Sequence, residues 1–152
     1  MMREPLSIRP AGGGDMPGLL ALYAQLNPQD PPPEDAAARA AWARIQVAEG
    51  LIILVAVLPG GRLVATCSLI IVPNLSRGAR PYAIIENVVS DAAHRGQGHG
   101  SAVLQAAMRA AREAGCYKVA LATGRRDPAI HRFYESAGLT AGVKTYVEAR
   151  WP

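Results

Sequence analysis

The sequence has little of what membrane proteins, disulfide-rich proteins and metal sites require. Its longest apolar run, residues 51–58, is far shorter than the ~20 apolar residues of a membrane-spanning helix. The first ten residues lack the apolar stretch of a secretory signal peptide. The two cysteines, Cys67 and Cys116, show no metal-ligand spacing, and we expect both to be reduced. These absences predict a cytoplasmic protein with no membrane segment and no bound metal.

Aromatic residues and lysines are also scarce. Only 5% of the residues are aromatic, and the lysines are Lys118 and Lys144 alone. The net charge of +4 suits an anionic ligand, but no basic run is interleaved with aromatic residues, as a nucleic-acid surface would require. The composition therefore argues against a protein that binds nucleic acid.

Hydrophobic residues, in contrast, make up half of the 152 residues, enough for a buried core. With no repeat or linker, we expect one domain over residues 1–152. The pattern predicts the order β, α, α, β, β, β, α, β, α, β. The predicted strands cover residues 6–11, 51–58, 63–72, 82–90, 116–124 and 145–151, and the predicted helices cover residues 16–26, 36–50, 101–114 and 128–138. This order indicates an α/β (α+β) fold with one mixed sheet.

A glycine-rich turn separates the fourth predicted strand from the third predicted helix. Residues 94–101 read HRGQGHGS, with a glycine at every second position behind Arg95. Such a turn exposes backbone N–H groups at a helix start, which bind phosphate. The alternative is a tight turn that needs positive φ. The turn lacks the lysine of a nucleoside-triphosphate loop, and its third glycine comes one position early for a dinucleotide fingerprint.

The spacing R-x-x-G-x-G at Arg95, Gly98 and Gly100 resembles the acyl-CoA pyrophosphate loop of the GNAT N-acetyltransferases. Residues 86–123 resemble the central strand–loop–helix–strand of that family, and AIHRFYESAGL at 129–139 resembles its C-terminal helix signature. The element order matches as well, so the resemblance covers nearly the whole chain. It implies a single GNAT-type domain with a mixed, mostly antiparallel sheet of about six to seven strands, flanked by about four helices.

The resemblance also implies the reaction and the cofactor site. An acetyl group passes from acetyl-CoA to a primary amine of a small-molecule acceptor by direct attack in a ternary complex. Backbone groups of the turn bind the pyrophosphate, and one N–H at Val88 or Val89 donates to the thioester carbonyl. The implied cofactor-binding residues are Val88, Val89, Ser90, Arg95, Gly96, Gln97, Gly98, His99, Gly100, Ser101, Asp127 and His131. Asp127 departs from the asparagine that the family often has there, and its carboxylate would repel the cofactor's phosphates unless Arg125 or Arg126 offsets it.

Two residues are candidates for catalysis. Glu86 interrupts an apolar strand and matches a glutamate of several GNAT branches, so we expect it to take a proton from the incoming ammonium. The alternative is a structural partner for Arg77 or Arg80. Tyr134 matches the family tyrosine near the CoA sulfur, which protonates the departing thiolate. Its alternative role is that of an amphipathic core residue beside Phe133.

The acceptor is left open by the sequence. Asp30, Glu34 and Asp35 would attract a cationic amine, whereas Arg77 and Arg80 would attract an anionic acceptor. A protein or peptide acetyltransferase is one rival interpretation, and a non-catalytic acyl-CoA sensor is another. The retention of both candidate catalytic residues argues against the sensor. A homodimer is common in the resembled family, so the resemblance also implies a homodimer.

Overall fold

The computed structural model describes residues 5–152. Five strands form one sheet in the order β1-β2-β3-β4-β5, in which only the β4–β5 pair is parallel. The strands are β1 (Ser7–Pro10), β2 (Leu51–Val57), β3 (Leu63–Val72), β4 (Tyr82–Ser90) and β5 (Val119–Ala120). The helices are α1 (Met16–Leu26), α2 (Asp35–Val47), α3 (Ser76–Ala79), α4 (His99–Glu113) and α5 (Pro128–Ser136). The predicted α/β architecture with a mixed, mostly antiparallel sheet is confirmed.

The two apolar runs of the sequence form the centre of the sheet. β2 and β3 pair antiparallel from Leu51 opposite Ile70 to Val57 opposite Leu63. The turn between them is closed by the N–H of Gly61, which donates to the carbonyl of Leu58 at 3.0 Å. Both strands are buried over most of their length, as continuous apolar runs predict for strands covered on both faces.

Helices cover both faces of this sheet. On one face lies α4, whose fully buried residues are Val103, Leu104, Ala107 and Ala111. The small side chains of this set let the helix lie close to the strands. On the other face, Leu19 and Tyr23 of α1 and Trp42 of α2 pack against alternate residues of β2. The sheet is therefore the middle of three layers.

The structure corrects several predicted boundaries. The strand expected over residues 116–124 is reduced to β5, and α4 begins two residues before its predicted start. Within the part of the chain that the structure describes, residues 145–151 form no strand, so the sheet has five strands rather than six to seven. The apolar residues of this segment, including Val147 and Trp151, are exposed, and among residues 5–152 they pair with no strand of the sheet.

An extra residue bends β4 at its middle. Ser68 of β3 lies opposite Glu86, but Thr66 lies opposite Val89, so β4 contains one residue more than its partner. Asn87 has a φ of 53°, which is characteristic of a β-bulge. The bulge interrupts the simple in–out alternation that the sequence predicts for this strand. No helix among residues 5–152 has the length and apolar character needed to cross a membrane.

Candidate active site

A cleft of about 890 Å³ opens where β4 and β5 separate. The two parallel strands pair only at Ala83 with Val119 and at Ile84 with Ala120. Beyond these pairs, residues 85–90 line one side of the cleft and residues 121–125 line it from the other strand. Separated strands leave backbone N–H and C=O groups that require new partners. An extended ligand can supply such partners by β-type pairing.

Most of the predicted site residues line this single cleft. They are Glu86, Val88, Val89, Ser90, Arg95, Gly96, Gly98, His99, Gly100, Ser101, Asp127 and Tyr134. The predicted residues Gln97 and His131 are not part of its walls. Asp127 also has a structural task, because its Oδ1 accepts the N–H of Ala129 at 2.9 Å and caps α5.

The glycine turn combines two conformational glycines with a helix start. Gly96 and Gly98 have φ values of 75° and 83°, in the left-handed region where other residues are strained. A β-carbon on either glycine would meet no atom within 4 Å, so conformation rather than crowding explains them. Gly98 is the N-cap of α4, and Gly100 and Ser101 of its first turn line the cleft. Unpaired N–H groups at a helix start bind anions.

Gly100, the third glycine of the turn, is needed for a different reason. A β-carbon on Gly100 would lie 2.6 Å from Ser90 Oγ and 3.5 Å from the Phe133 ring. Gly100 therefore lets α4 pack directly against the end of β4 and against α5. The groups that lie close to the Gly100 backbone are therefore side chains of the protein itself.

A buried carboxylate anchors the approach to the turn. Asp91, 5% exposed, accepts hydrogen bonds from Arg62 Nη2 at 2.8 Å, His94 Nδ1 at 2.9 Å and Gln25 Nε2 at 3.2 Å. It also accepts the N–H of Ala93 at 3.3 Å. The Arg62 hydrogen bond, with those from His94 and Gln25, outweighs burial and holds the pKa of Asp91 well below its usual range.

Glu86 is exposed and borders the cleft. Its proposed structural partners are engaged elsewhere: Arg80 donates to the carbonyls of Gly115 and Cys116, and the Arg77 guanidinium lies 5.5 Å from the centre of the Tyr117 ring. Among residues 5–152, no ion pair involves Glu86. The Glu86 carboxylate is thus exposed at the cleft and paired with no arginine of residues 5–152.

Tyr134 is half-buried on α5 and borders the same cleft. Its ring packs edge-on against Phe133, with ring centres 5.0 Å apart and planes inclined by 63°. Burial raises the pKa of the Tyr134 phenol, and the nearby Arg125 guanidinium partly opposes this increase. The phenol is therefore protonated at neutral pH. Tyr134 therefore makes the core contact with Phe133 that its alternative role predicts, and it also borders the cleft.

Other cleft residues carried no clear signal in the sequence. Gln25, Asn27 and Arg150 line the cleft but come from segments with no motif. Arg150 belongs to the C-terminal segment, where its Nε donates to Glu148 at 2.6 Å. Only the spatial arrangement shows that these residues border the same cleft as β4. Among residues 5–152, no group of three or more His, Cys, Asp or Glu side chains is arranged to hold a metal ion.

Comparison with known proteins identifies the family of this site. The sequence profile of the Acetyltransferase (GNAT) family matches residues 18–139, from within the first helix to just beyond the last. The chain belongs to the GNAT acetyltransferase family. GNAT enzymes use acetyl-CoA, so the predicted acetyl-CoA-dependent acetyltransferase is confirmed at the level of the family.

Relatives of this GNAT chain include amino-sugar enzymes. A glucosamine 6-phosphate N-acetyltransferase from Trypanosoma brucei brucei is 40% identical over 83 residues, 55% of this chain and 54% of that protein. The match thus spans about half the length of the trypanosomal protein. Glucosamine 6-phosphate N-acetyltransferase 1 from Oryza sativa subsp. japonica is 33% identical over 138 residues, 89% of this chain and 81% of that protein.

A solved structure confirms the GNAT fold. A protein of Agrobacterium tumefaciens str. C58, assigned to the acetyltransferases, superposes with a TM-score of 0.90 and is 51% identical. The superposition covers 95% of this chain and 99% of that one. The elements that frame the cleft are therefore those of a GNAT fold.

Proposed function

We propose that this protein is an N-acetyltransferase that transfers the acetyl group of acetyl-CoA to the primary amine of a small-molecule acceptor. The observation that carries this proposal is that Glu86, Tyr134 and the glycine turn border one cleft. Direct attack in a ternary complex needs a base, an acid and a bound thioester, but no nucleophilic side chain. Residues 1–152 act as one cytoplasmic acetyltransferase domain in this account.

We assign a group of the cleft to each part of the donor. Acetyl-CoA supplies an activated acetyl group and several phosphate charges. The N–H groups of the first turn of α4, together with Arg95, bind the pyrophosphate. Residues 88–90 offer backbone groups to the pantetheine arm, and one N–H of Val88 or Val89 donates to the thioester carbonyl. The bulge at Asn87 supports this role, because a bulge leaves backbone groups without a cross-strand partner.

Glu86 acts as the base in this proposal. The acceptor arrives as an ammonium ion, which has no lone pair with which to attack. A carboxylate that borders the cleft and is held by no arginine of the described residues is available to take a proton from it, directly or through a water molecule. The amine nitrogen then attacks the thioester carbonyl. Once Glu86 has passed its first proton to solvent, one of the two protons left on nitrogen leaves by the same route, and the other stays on the amide product.

Tyr134 acts as the acid. Because burial raises the pKa of its phenol, Tyr134 holds a proton at neutral pH and donates it to the sulfur as the C–S bond breaks. Burial also raises the pKa of the neighbouring Cys67 thiol to about 12. Cys67 is therefore protonated at neutral pH and plays no nucleophilic part.

We propose an amino sugar phosphate as the acceptor. Asp30 and Arg150 both line the cleft, so that a carboxylate is available to an ammonium group and a guanidinium, which also pairs with Glu148, is available to a phosphate. The names of the trypanosomal and rice relatives support the same class. Arg77 and Arg80, the arginines first considered for an anionic acceptor, do not line the cleft.

The test is release of free CoA thiol with a panel of amines, alongside calorimetry with acetyl-CoA. Glu86→Gln is expected to lower kcat by about 10²–10⁴-fold and Tyr134→Phe by about 10-fold or more, with acetyl-CoA affinity almost unchanged. Glu113→Gln and Tyr117→Phe are the matched controls, because neither residue lines the cleft. Full turnover in Glu86→Gln would contradict the proposed base.

The choice of acceptors in the panel separates the rival functions. Glucosamine 6-phosphate is compared with glucosamine, amino acids, polyamines and peptides. A preference for the phosphorylated sugar that Arg150→Gln abolishes would support the acceptor assignment. Turnover of peptides alone would indicate a peptide acetyltransferase. Acetyl-CoA binding without turnover of any amine would indicate a sensor.

A homodimer completes the proposal. The exposed large apolar residues include Val143, Tyr146, Val147 and Trp151, all in the C-terminal segment. Exposed apolar residues concentrated in one segment are typical of a protein–protein contact. Light scattering is expected to give twice the chain mass of 16.0 kDa, and Trp151→Ser is expected to shift that mass towards the monomer.

A further inference from the structure

Four side chains from separate parts of the chain converge at the entrance to the glycine turn. We call this group, Gln25, Arg62, Asp91 and His94, the Asp91 cluster. Gln25 and His94 line the main cleft, while Gln25, Arg62 and Asp91 line a second cavity of about 290 Å³. The cluster therefore forms part of the partition between two cavities.

Asp91 makes more hydrogen bonds than it would need to cap the short helical turn at residues 92–94. A capping aspartate needs one backbone contact, which Ala93 N–H provides at 3.3 Å. Asp91 accepts three further hydrogen bonds from side chains. Gln25 adds a second tie, because its Oε1 accepts the N–H of Ala92 at 2.8 Å. Residues 92–94 are thus fixed by contacts from α1 and from the β2–β3 turn.

The His94 side chain lines the cofactor cleft but, unlike that of Gln25, makes no hydrogen bond to the backbone of residues 92–94. The carboxylate of Asp91 can only accept, so Nδ1 of His94 carries the proton that they share across 2.9 Å. The His94 side chain is 24% exposed. Its remaining nitrogen, Nε2, makes no hydrogen bond to any part of the chain that the structure describes. The next residue, Arg95, borders the same cleft.

We propose that His94 binds a phosphate group of acetyl-CoA through Nε2, and that Asp91, Gln25 and Arg62 are the positioning residues for this contact. An imidazolium ring serves two acceptors at once, and a carboxylate on Nδ1 with a phosphate oxygen on Nε2 satisfies both donors. Asp91 fixes the ring, and Arg62 and Gln25 fix Asp91. The proposal rests on the proposed function in that acetyl-CoA must occupy this cleft.

The experiment compares donors with and without phosphates. Binding of acetyl-CoA, 3′-dephospho-acetyl-CoA and S-acetylpantetheine to wild type and His94→Gln is measured by calorimetry, or by NMR titration for the weakest ligand. His94→Gln is expected to weaken acetyl-CoA binding by about 10–100-fold, as loss of a charge-assisted hydrogen bond does. S-acetylpantetheine binding should be unchanged, because that donor has no phosphate.

Binding of 3′-dephospho-acetyl-CoA shows which phosphate of acetyl-CoA His94 contacts. A loss that persists with the 3′-dephospho donor assigns the contact to the pyrophosphate, and a loss that disappears assigns it to the 3′-phosphate. Both results support the proposal. An equal loss with S-acetylpantetheine would show a structural effect, and an unchanged affinity for acetyl-CoA would overturn the contact. If wild type fails to bind acetyl-CoA at all, the proposed function fails instead.

The positioning role has its own readout. Long-range ¹H–¹⁵N spectra of the imidazole are expected to show a proton on Nδ1 of His94 in wild type and protons on both ring nitrogens when acetyl-CoA is bound, whereas Asp91→Asn should lose the preference for Nδ1. The same variant should lose affinity for acetyl-CoA but not for S-acetylpantetheine. Gln25→Leu, which keeps Asp91, is the second variant if Asp91→Asn does not fold; it should weaken acetyl-CoA binding about 3–10-fold. An unchanged imidazole spectrum in both variants would overturn the positioning role.

Discussion

Gly100 and Ser90 are so close that a β-carbon on the glycine would lie 2.6 Å from the serine hydroxyl oxygen. Gly100 belongs to the first turn of α4, and Ser90 is the last residue of β4. Strand and helix therefore meet here with only the Ser90 side chain between them, at the end of the cleft where the pyrophosphate is proposed to bind. The position of the helix N-terminus depends on this contact.

Gly100→Ala should move α4 away from β4 and weaken acetyl-CoA binding. Overpacking of this kind costs about 1–3 kcal/mol. Ser90→Ala removes the oxygen that the new methyl group would meet, so Gly100→Ala/Ser90→Ala should recover at least half of the lost stability and affinity. Chemical denaturation and calorimetry on both single variants and the double variant measure this coupling. Strictly additive losses would show that the contact is not the cause.

Gly98→Ala should destabilise the fold through conformation alone. Its φ of 83° costs a non-glycine residue about 1–2 kcal/mol, although the space around it is open. Gly14→Ala is the matched control, because Gly14 has no positive φ and its β-carbon would also meet nothing. Denaturation should show a loss for Gly98→Ala and almost none for Gly14→Ala. Equal effects would contradict this explanation of the turn.

Much of the fold was predictable from local patterns. Continuous apolar runs at residues 51–58 and 63–72 correspond closely to β2 and β3, because strands buried on both faces need little context. The two errors, at residues 116–124 and 145–151, concern edge segments. Their strand formation depends on a neighbouring strand, which the pattern of a single segment does not contain.

The candidate site was predictable where a motif marked it. The glycine turn, Glu86 and Tyr134 were all identified from the sequence, and all border the cleft. Gln25 was missed because its partner Asp91 lies 66 positions away, and a hydrogen bond across that separation leaves no local signal. The bulge at Asn87 was missed because Asn in a strand pattern does not by itself indicate positive φ.

Arg125→Gln should shift the alkaline limb of the kcat profile to higher pH. The Arg125 charge lowers the pKa of the Tyr134 phenol, which burial raises, so removing that charge lets the pKa rise further. Tyr134 then keeps its proton, and hence its activity as an acid, to a higher pH. Arg126→Gln is the matched control, because Arg126 does not line the cleft. A limb that moves equally in both variants, or to lower pH, would contradict the assignment.

Asp91→Asn should destabilise the protein near neutral pH and much less in acid. The pKa of Asp91 is lowered in the folded state, so its charged form stabilises the fold above the unfolded pKa of ~3.9, and this stabilisation disappears as the pH falls below that value. We expect a loss of about 2 kcal/mol at pH 7. Denaturation at several pH values, with Asp35→Asn as an exposed control, tests this. A loss independent of pH would be inconsistent with it.

The crystal structure of the protein with bound CoA tests the central claim most directly. The account predicts the pyrophosphate against residues 95–101, the pantetheine arm along residues 88–90, and the sulfur within reach of the Tyr134 hydroxyl. Pyrophosphate density elsewhere, or a pantetheine arm outside the β4–β5 cleft, would contradict the account of the glycine turn and of the roles assigned around it.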